Sequence, residues 1–474
     1  MNIFLFNRGL RCNDNTTLID MIQTCGEVTP IFVFTEQVNK KKNKYFSNNS
    51  VEFMIESLHE LYNTIETKYD GKLYFFHNDN LIKVLTSINK LIKIENLGTN
   101  FDYTPYARKR QDLLKEFCDK NKINYHMKED HVLYNVLDKK ACKEDGNPYT
   151  VFTPYKNHAF GNLTVPEPDK FKKFNFKKYK ILETNKYYLD DKDINKFYQV
   201  NPEAHIHGGR KNGLKILKNL DKYKDYSEKR DCLLYNTTFL ASHNHFGTVS
   251  IREVYYAIKD KLKSRSIGLL TEICWRDFYY NLYYYHPHML GGMVQKKNKA
   301  YKEKFDHIKW NYNHEHFKRW CEGTTGIPVC DAGMRQMNRT GFMHNRLRMV
   351  TAAVLTKLLL LPWQWGEKYF AQTLKDYDPI QNGGGWGWTV TGIDPQQVFR
   401  IFSPQSQSTK FDPECKFILE YIPELKNVPV KDIHNWENTY QTYLDKGIEY
   451  YEPIIDYKQA RRDALDEFNR VNKL

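Results

Sequence analysis

Residues 374–392 read "LKDYDPIQNGGGWGWTVTG". One short run holds two acids (Asp376, Asp378), the amide Asn382, three consecutive glycines (Gly383 to Gly385) and two tryptophans (Trp386, Trp388). Glycine lets a backbone approach a flat group closely, an amide both donates and accepts, and an indole can stack beside them. In "EICWRDFYY", Glu272 precedes Trp275 by three residues and Arg276 by four, so the acid shares a helix face with an indole or a guanidinium. That set can recognise a base, or can be an ion pair beside a core tryptophan. In "TGFMHNRLRMVTAAV", Asn345 and Met349 stand one turn apart. Arg346 and Arg348 between them point to different sides of a helix, so one can face a ligand and the other a carboxylate. Asp376 is the obvious candidate for that carboxylate, since a buried arginine needs a partner. Thr237 and Thr238 stand where a helix can begin. Hydroxyls with helix N-terminal amides form a phosphate cradle, although Thr-Thr is also an ordinary cap.

All of these segments lie after residue 206, where the texture is helical. The eight tryptophans are one-sided too, with Trp275 the first of them. The first ~125 residues instead alternate short apolar runs ("NIFLF", "VTPIFVF", "KLYFFHND") with amphipathic ones such as "SVEFMIESLHELYNTI", as an α/β domain does. No GxGxxG follows the first strand, so the usual dinucleotide fingerprint is missing there. Residues 126–205 are irregular and rich in Pro and Lys, and read as an interdomain linker. The expected organisation is therefore 1–125, a linker over 126–205, and a helical unit over 206–474.

The chain of 474 residues is long enough for two or three cores. Its net charge of +14 suits a polyanionic partner, although the lysines are spread along the chain. The Lys-rich "KKNKAYKEKF" at 296–305 reads as a DNA-facing loop or a solvated one. Nine cysteines stand isolated, without CxxC or Cys/His ligand spacing, which implies reduced thiols and no metal site. "VTAAVLTKLLLLPW" is too short to span a bilayer and carries Lys357, so it reads as a buried helix. No signal peptide is seen. The expectation is a cytoplasmic, nuclear or viral protein that is not secreted and has no membrane segment.

Taken together, "MHNRLRM", "DYDP…NGGGWGW", "FRIFSPQSQSTKFDPECKFILEYIPEL" and the opening "FNRGLRCNDNTTL" resemble the photolyase/cryptochrome flavoproteins over essentially the whole chain. The resemblance is closest to the class I cyclobutane pyrimidine dimer photolyases. It implies an α/β N-terminal Rossmann-like domain plus an all-α C-terminal FAD-binding domain. It further implies that FAD is held by Tyr226, Thr237, Thr238, Arg276, Asn345, Arg348, Asp376, Asp378 and Asn382. Electrons would pass along Trp386, Trp363 and Trp310. Glu272, Trp275, Asn345, Met349 and Trp388 would form the lesion pocket, and Arg230, Arg346, Gln407 and Lys410 would contact phosphates or the lesion. The implied activity is light-driven electron transfer from reduced FAD to a flipped dimer in UV-damaged DNA, by a monomer.

The (6-4) photolyases resemble the same helix but carry histidines where Asn345 and Met349 stand, which favours the cyclobutane lesion. A cryptochrome photoreceptor without repair is the alternative; the lesion-pocket residues weigh against it. The chain departs from the family at Phe239, Ala241, Leu269 and Gly383. "NFDYTPYARKRQD" resembles the antenna segment without the Asn-Glu pair associated with folate, which leaves a folate, a deazaflavin or no antenna as alternatives.

Overall fold

The computed structural model describes residues 1–292, 303–390 and 401–473. The alternating N-terminal pattern folds into β1 (Asn2–Phe6), α1 (Thr16–Cys25), β2 (Thr29–Phe34), α2 (Asn48–Tyr69), β3 (Tyr74–His77), α3 (Leu81–Leu91), β4 (Asn96–Asn100), α4 (Pro105–Asn121) and β5 (Asn124–Lys128). These strands pair in parallel in the order β5-β4-β1-β2-β3, with Ile3 opposite both Thr29 and Leu97. Every residue of β2 is buried, because helices cover both faces of the sheet. The two-residue period of a strand sorts the side chains. Phe4, Phe6, Phe32 and Phe34 enter one core, and Ile3, Leu5, Ile31 and Val33 the other.

The boundary expected at residue 125 falls inside β5, and 126–205 is more than a connection. Its β6 (Tyr188–Leu189) extends the sheet antiparallel to β3. Its α5 (Phe152–Asn162) joins the core of the helical unit, where Phe152 and Tyr155 are buried with Phe278 and Tyr279. Beyond residues 132–136, the buried apolar residues of this segment come one or two at a time, as at Phe174, Phe176 and Leu182. That is too sparse for either secondary-structure period to register.

The helical unit contains α6 (Arg210–Lys218), α7 (Tyr226–Lys229), α8 (Leu240–Phe246), α9 (Ile251–Leu262), α10 (Ile267–Tyr285), α11 (His314–Glu322), α12 (Pro328–Thr340), α13 (Asn345–Ala353), α14 (Trp363–Thr373), α15 (Pro379–Val390) and α16 (Pro404–Phe411), with more helix up to Asn472. The apolar run after α13 is buried as expected and forms a π turn over Val354–Leu358. No helix among the described residues is long and apolar enough to cross a membrane. The Lys-rich run at 296–305 lies mostly outside the described residues.

Buried ion pairs join the two units. In the turn after β1, Arg8 reaches Asp102 and Asp378, each at 3.3 Å, and Arg11 meets Asp130 at 2.7 Å. Arg252 of α9 binds Asp14 at 2.9 Å and Asp130 at 3.0 Å. Lys375 and Glu52, both 1% exposed, pair at 2.8 Å. Removing one partner of such a pair strands a buried charge, which costs about 3–5 kcal/mol. The sheet domain and the helical unit are thereby held in one arrangement, and Arg8 acts directly on the cavity described next.

Candidate functional site

A cavity of about 520 Å³ opens among α8, α10, α13, α14 and α15. That volume suits a cofactor or small ligand. All nine residues expected to hold FAD line it, and so do Glu272, Trp275, Met349, Trp386 and Trp388. Sequence segments more than a hundred residues apart therefore meet on one wall.

The "NGGGWGW" run lies inside helix α15, and its acid starts that helix. Asp378 Oδ1 accepts from the backbone of Ile380 at 2.9 Å and of Gln381 at 3.1 Å. Its Oδ2 accepts from Arg8 at 3.3 Å and from the Tyr280 hydroxyl, and lies 2.9 Å from His245 Nδ1. Burial alone would push this carboxyl up, but Arg8, His245 and Tyr280 outweigh it and hold Asp378 well below the usual carboxylate range. Both oxygens are engaged within the protein, so Asp378 serves the cavity by placing α15.

The glycines allow close approach, chiefly of helix to helix. A Cβ on Gly384 would lie 2.7 Å from the ring of Tyr279 in α10, whereas Gly385 faces open space in the cavity wall. On α14, a Cβ at Gly366 would stand 2.2 Å from the Trp386 ring. Trp386 is 3% exposed and packs on Phe370 at 5.1 Å and Trp320 at 6.4 Å between centroids. Trp363 is buried in the helical core and Trp310 packs half-buried against it, both away from the cavity wall. Among the described residues no ring contact joins Trp386, Trp363 and Trp310 directly; the contacts of Trp386 lead to Trp320.

Polar side chains around the cavity fall into two states. Some are fixed by protein partners. Arg348 Nη2 donates to both oxygens of Asp376 at 2.8 and 3.1 Å, the pairing the sequence suggested, and its Nε donates to Met343 O at 2.9 Å. Asn382 Nδ2 donates to Glu367 Oε1 at 3.0 Å and to Glu367 O at 3.2 Å, and burial pushes the Glu367 carboxyl up. Others keep an open valence. Arg276 lies over the Tyr280 ring at 4.8 Å and donates through Nη1 to His131 O at 2.8 Å, while its buried Nη2 has no partner in the protein. Asn244 Oδ1 is buried and unpartnered as well. Helix α8 starts at Leu240, after the threonine pair. Phe239 takes a left-handed φ of 55° there, and Leu240 N reaches Thr238 Oγ1 at 3.4 Å.

At the other side of the cavity, Glu272 pairs with Arg230, and not with its helix neighbour Arg276. Burial pushes the Glu272 carboxyl up, with Arg230 opposing. Trp275 lies flat on Phe152, with centroids 3.4 Å apart and planes 9° apart. Arg230, Arg346, Gln407 and Lys410 are outside the cavity wall. Arg346 pairs with Asp231 at 2.7 Å and lies 4.5 Å over Phe411; Lys410 Nζ lies 5.2 Å from the same ring. Gln407 stands on α16 with its Oε1 buried and unpartnered in the protein.

Sequence reasoning missed Arg8, Phe152, His245 and Glu367. Arg8 sits in the opening "FNRGLRCNDNTTL" turn, but its partner is 370 residues away. Phe152 lies in the segment that reads as a linker, where no local pattern singles it out.

Known proteins resemble the chain over both of its units. Residues 2–172 match the model for DNA photolyase, and residues 269–470 match the FAD binding domain of DNA photolyase. A deoxyribodipyrimidine photo-lyase of Buchnera aphidicola is 32% identical, with 99% of this chain and 97% of that one covered. Among solved structures, an archaeal photolyase from Sulfolobus tokodaii, described with two FAD molecules, superposes with a TM-score of 0.85 at 33% identity over 99% of this chain and 100% of that one. A class III photolyase from Agrobacterium tumefaciens gives a TM-score of 0.88 at 28% identity, covering 100% and 98%. With both halves matched in order and a relative aligned end to end, the chain belongs to the photolyase/cryptochrome family.

Proposed function

We propose that this chain is a deoxyribodipyrimidine photo-lyase that splits cyclobutane pyrimidine dimers in UV-damaged DNA. The observation that carries the reading is one cavity lined both by the residues for FAD and by Glu272, Trp275, Met349 and Trp388. The wall fits a polar aromatic cofactor. It offers an unpartnered buried donor at Arg276 Nη2, an unpartnered buried acceptor at Asn244 Oδ1, and aromatic and apolar surface elsewhere. Tyr226, Thr237, Thr238, Arg276, Asn345, Arg348, Asp376 and Asn382 would hold FAD. Bound and reduced, FAD supplies the light-driven electron that opens the dimer's ring.

The chain's own residues prepare the substrate. Trp275 and Trp388 give a flipped dimer two aromatic walls, which offset part of the unstacking cost. Glu272 stands where it can hydrogen-bond the pyrimidine edge of the dimer, and burial pushes its carboxyl up against the opposing pull of Arg230. A hydrogen bond there would stabilise the charge that develops on the dimer while the ring opens. Met349 and Asn345 sit one turn apart on α13 and shape the lesion side of the cavity. Trp386 lines the cavity and would be the first residue to pass an electron toward the oxidised cofactor, with Trp363 and Trp310 proposed beyond it. Asn345 and Met349, where (6-4) photolyases carry histidines, support the cyclobutane lesion. The test is restoration of thymines by the flavin-loaded protein under blue light.

A further inference from the structure

Two ion pairs of opposite polarity sit side by side next to the cavity. Arg230 and Asp231 are consecutive, just after α7. Arg230 binds Glu272 of α10, and Asp231 binds Arg346 of α13 at 2.7 Å. Both pairs are partly solvated, with side chains of Arg230, Glu272 and Asp231 43%, 38% and 40% exposed. Rim pairs of this kind are weak and exchange readily. Arg346 is otherwise built as a rigid fork: its plane rests on Phe411, and its buried Nε has no partner in the protein. Lys410 flanks the same ring. Two arginines that suit DNA phosphates are thus occupied by acids of the same chain.

We propose, resting on the photolyase reading above, that Asp231 and Glu272 are specificity-determining residues: they compete with DNA phosphates for Arg346 and Arg230. On undamaged duplex each arginine must exchange its acid for a phosphate, and the chain gains little. A dimer that enters the cavity draws Glu272 onto its pyrimidine edge and leaves Arg230 for the backbone. Movement of Arg230 shifts the adjoining Asp231 and loosens its hold on Arg346. Lesion binding and backbone grip are coupled through two neighbouring residues. A basic chain of net charge +14 needs some such restraint, because unspecific duplex is in vast excess over lesions.

The test is equilibrium binding of the flavin-loaded protein, in the dark, to an undamaged duplex and to the same duplex with one thymine dimer, across a salt series. Asp231→Asn frees Arg346. One more phosphate contact steepens the log–log salt dependence on undamaged duplex by about 0.9, and tightens binding about eight-fold at 0.1 M salt. Affinity for the lesion duplex rises less, so discrimination falls. In an Arg346→Gln background the same substitution changes neither quantity. Glu272→Gln behaves alike on undamaged duplex, and its gain vanishes in an Arg230→Gln background. Unchanged affinity and slope for undamaged duplex would overturn the proposal, as would a gain that persists without the arginine. A wild-type protein that binds both duplexes equally would instead contradict the photolyase reading.

Discussion

Phe152 lies flat against Trp275, with ring centroids 3.4 Å apart and planes 9° apart. One comes from the segment between the units and the other from α10, so the connection sets the face that Trp275 presents to the cavity. An aromatic pair contributes about 0.5–1.5 kcal/mol beyond buried area, and Phe152→Leu is therefore expected to weaken dark binding of a dimer-containing duplex about two- to ten-fold. Flavin content and the affinity for undamaged duplex stay the same. Loss of flavin, or equal weakening on both duplexes, would show that Phe152 is only core.

Glu272→Ala and Met349→Ala are expected to slow repair while leaving flavin absorbance intact. A single transition-state hydrogen bond of the oxyanion type is worth about 10²–10³-fold; Glu272 is partly solvated, so the expected loss in the repair rate is nearer ten-fold. The measurement is dimers split per photon at saturating substrate, beside the visible spectrum of the same sample.

Trp386→Phe is expected to abolish photoreduction of the oxidised protein and to spare repair by protein reduced chemically beforehand. Trp310→Phe has the same effect if electrons enter through Trp363 and Trp310. Residual photoreduction in Trp310→Phe would direct attention to Trp320, which contacts Trp386 at 6.4 Å.

Acid is expected to destabilise the fold between pH 6.5 and 4. Burial lowers His243 and His344 to about 4, with neighbouring arginines adding to the effect at His344. In this window the unfolded chain binds these protons and the folded chain does not, so stability falls as pH falls. The loss levels off below pH 4 at up to about 3 kcal/mol for each histidine. Asp277, pushed up to about 6 by burial, works in the opposite direction below pH 6 and offsets part of this. Thermal melting across pH 7 to 4 measures the sum, and His243→Asn is expected to flatten the curve. A melting temperature that rises with acid would contradict the assignment.

The sequence displayed most of the cavity because its residues come in local groups. Asn345 with Met349, and Glu272 with Trp275, share helix faces that spacing alone reveals. Arg348 with Asp376 was legible because a buried guanidinium demands a carboxylate and one lay nearby in the chain. What stayed hidden depends on the approach of remote segments. Nothing local marks Arg8 as the partner of Asp378, or Phe152 as the bed of Trp275. The glycines show the same limit: their need for close contact was evident, but Tyr279 of α10 as the group that approaches Gly384 was not. Glu272 had a charged neighbour at helical spacing in Arg276, yet its partner is Arg230, brought in by the chain after α7.

The decisive measurement is blue-light illumination of the purified, flavin-loaded and reduced protein with an oligonucleotide carrying one thymine dimer. The dimer is expected to be converted to two thymines in the light and to persist in the dark. A dimer that survives illumination, with reduced flavin bound and the oligonucleotide saturating, would contradict the photolyase reading.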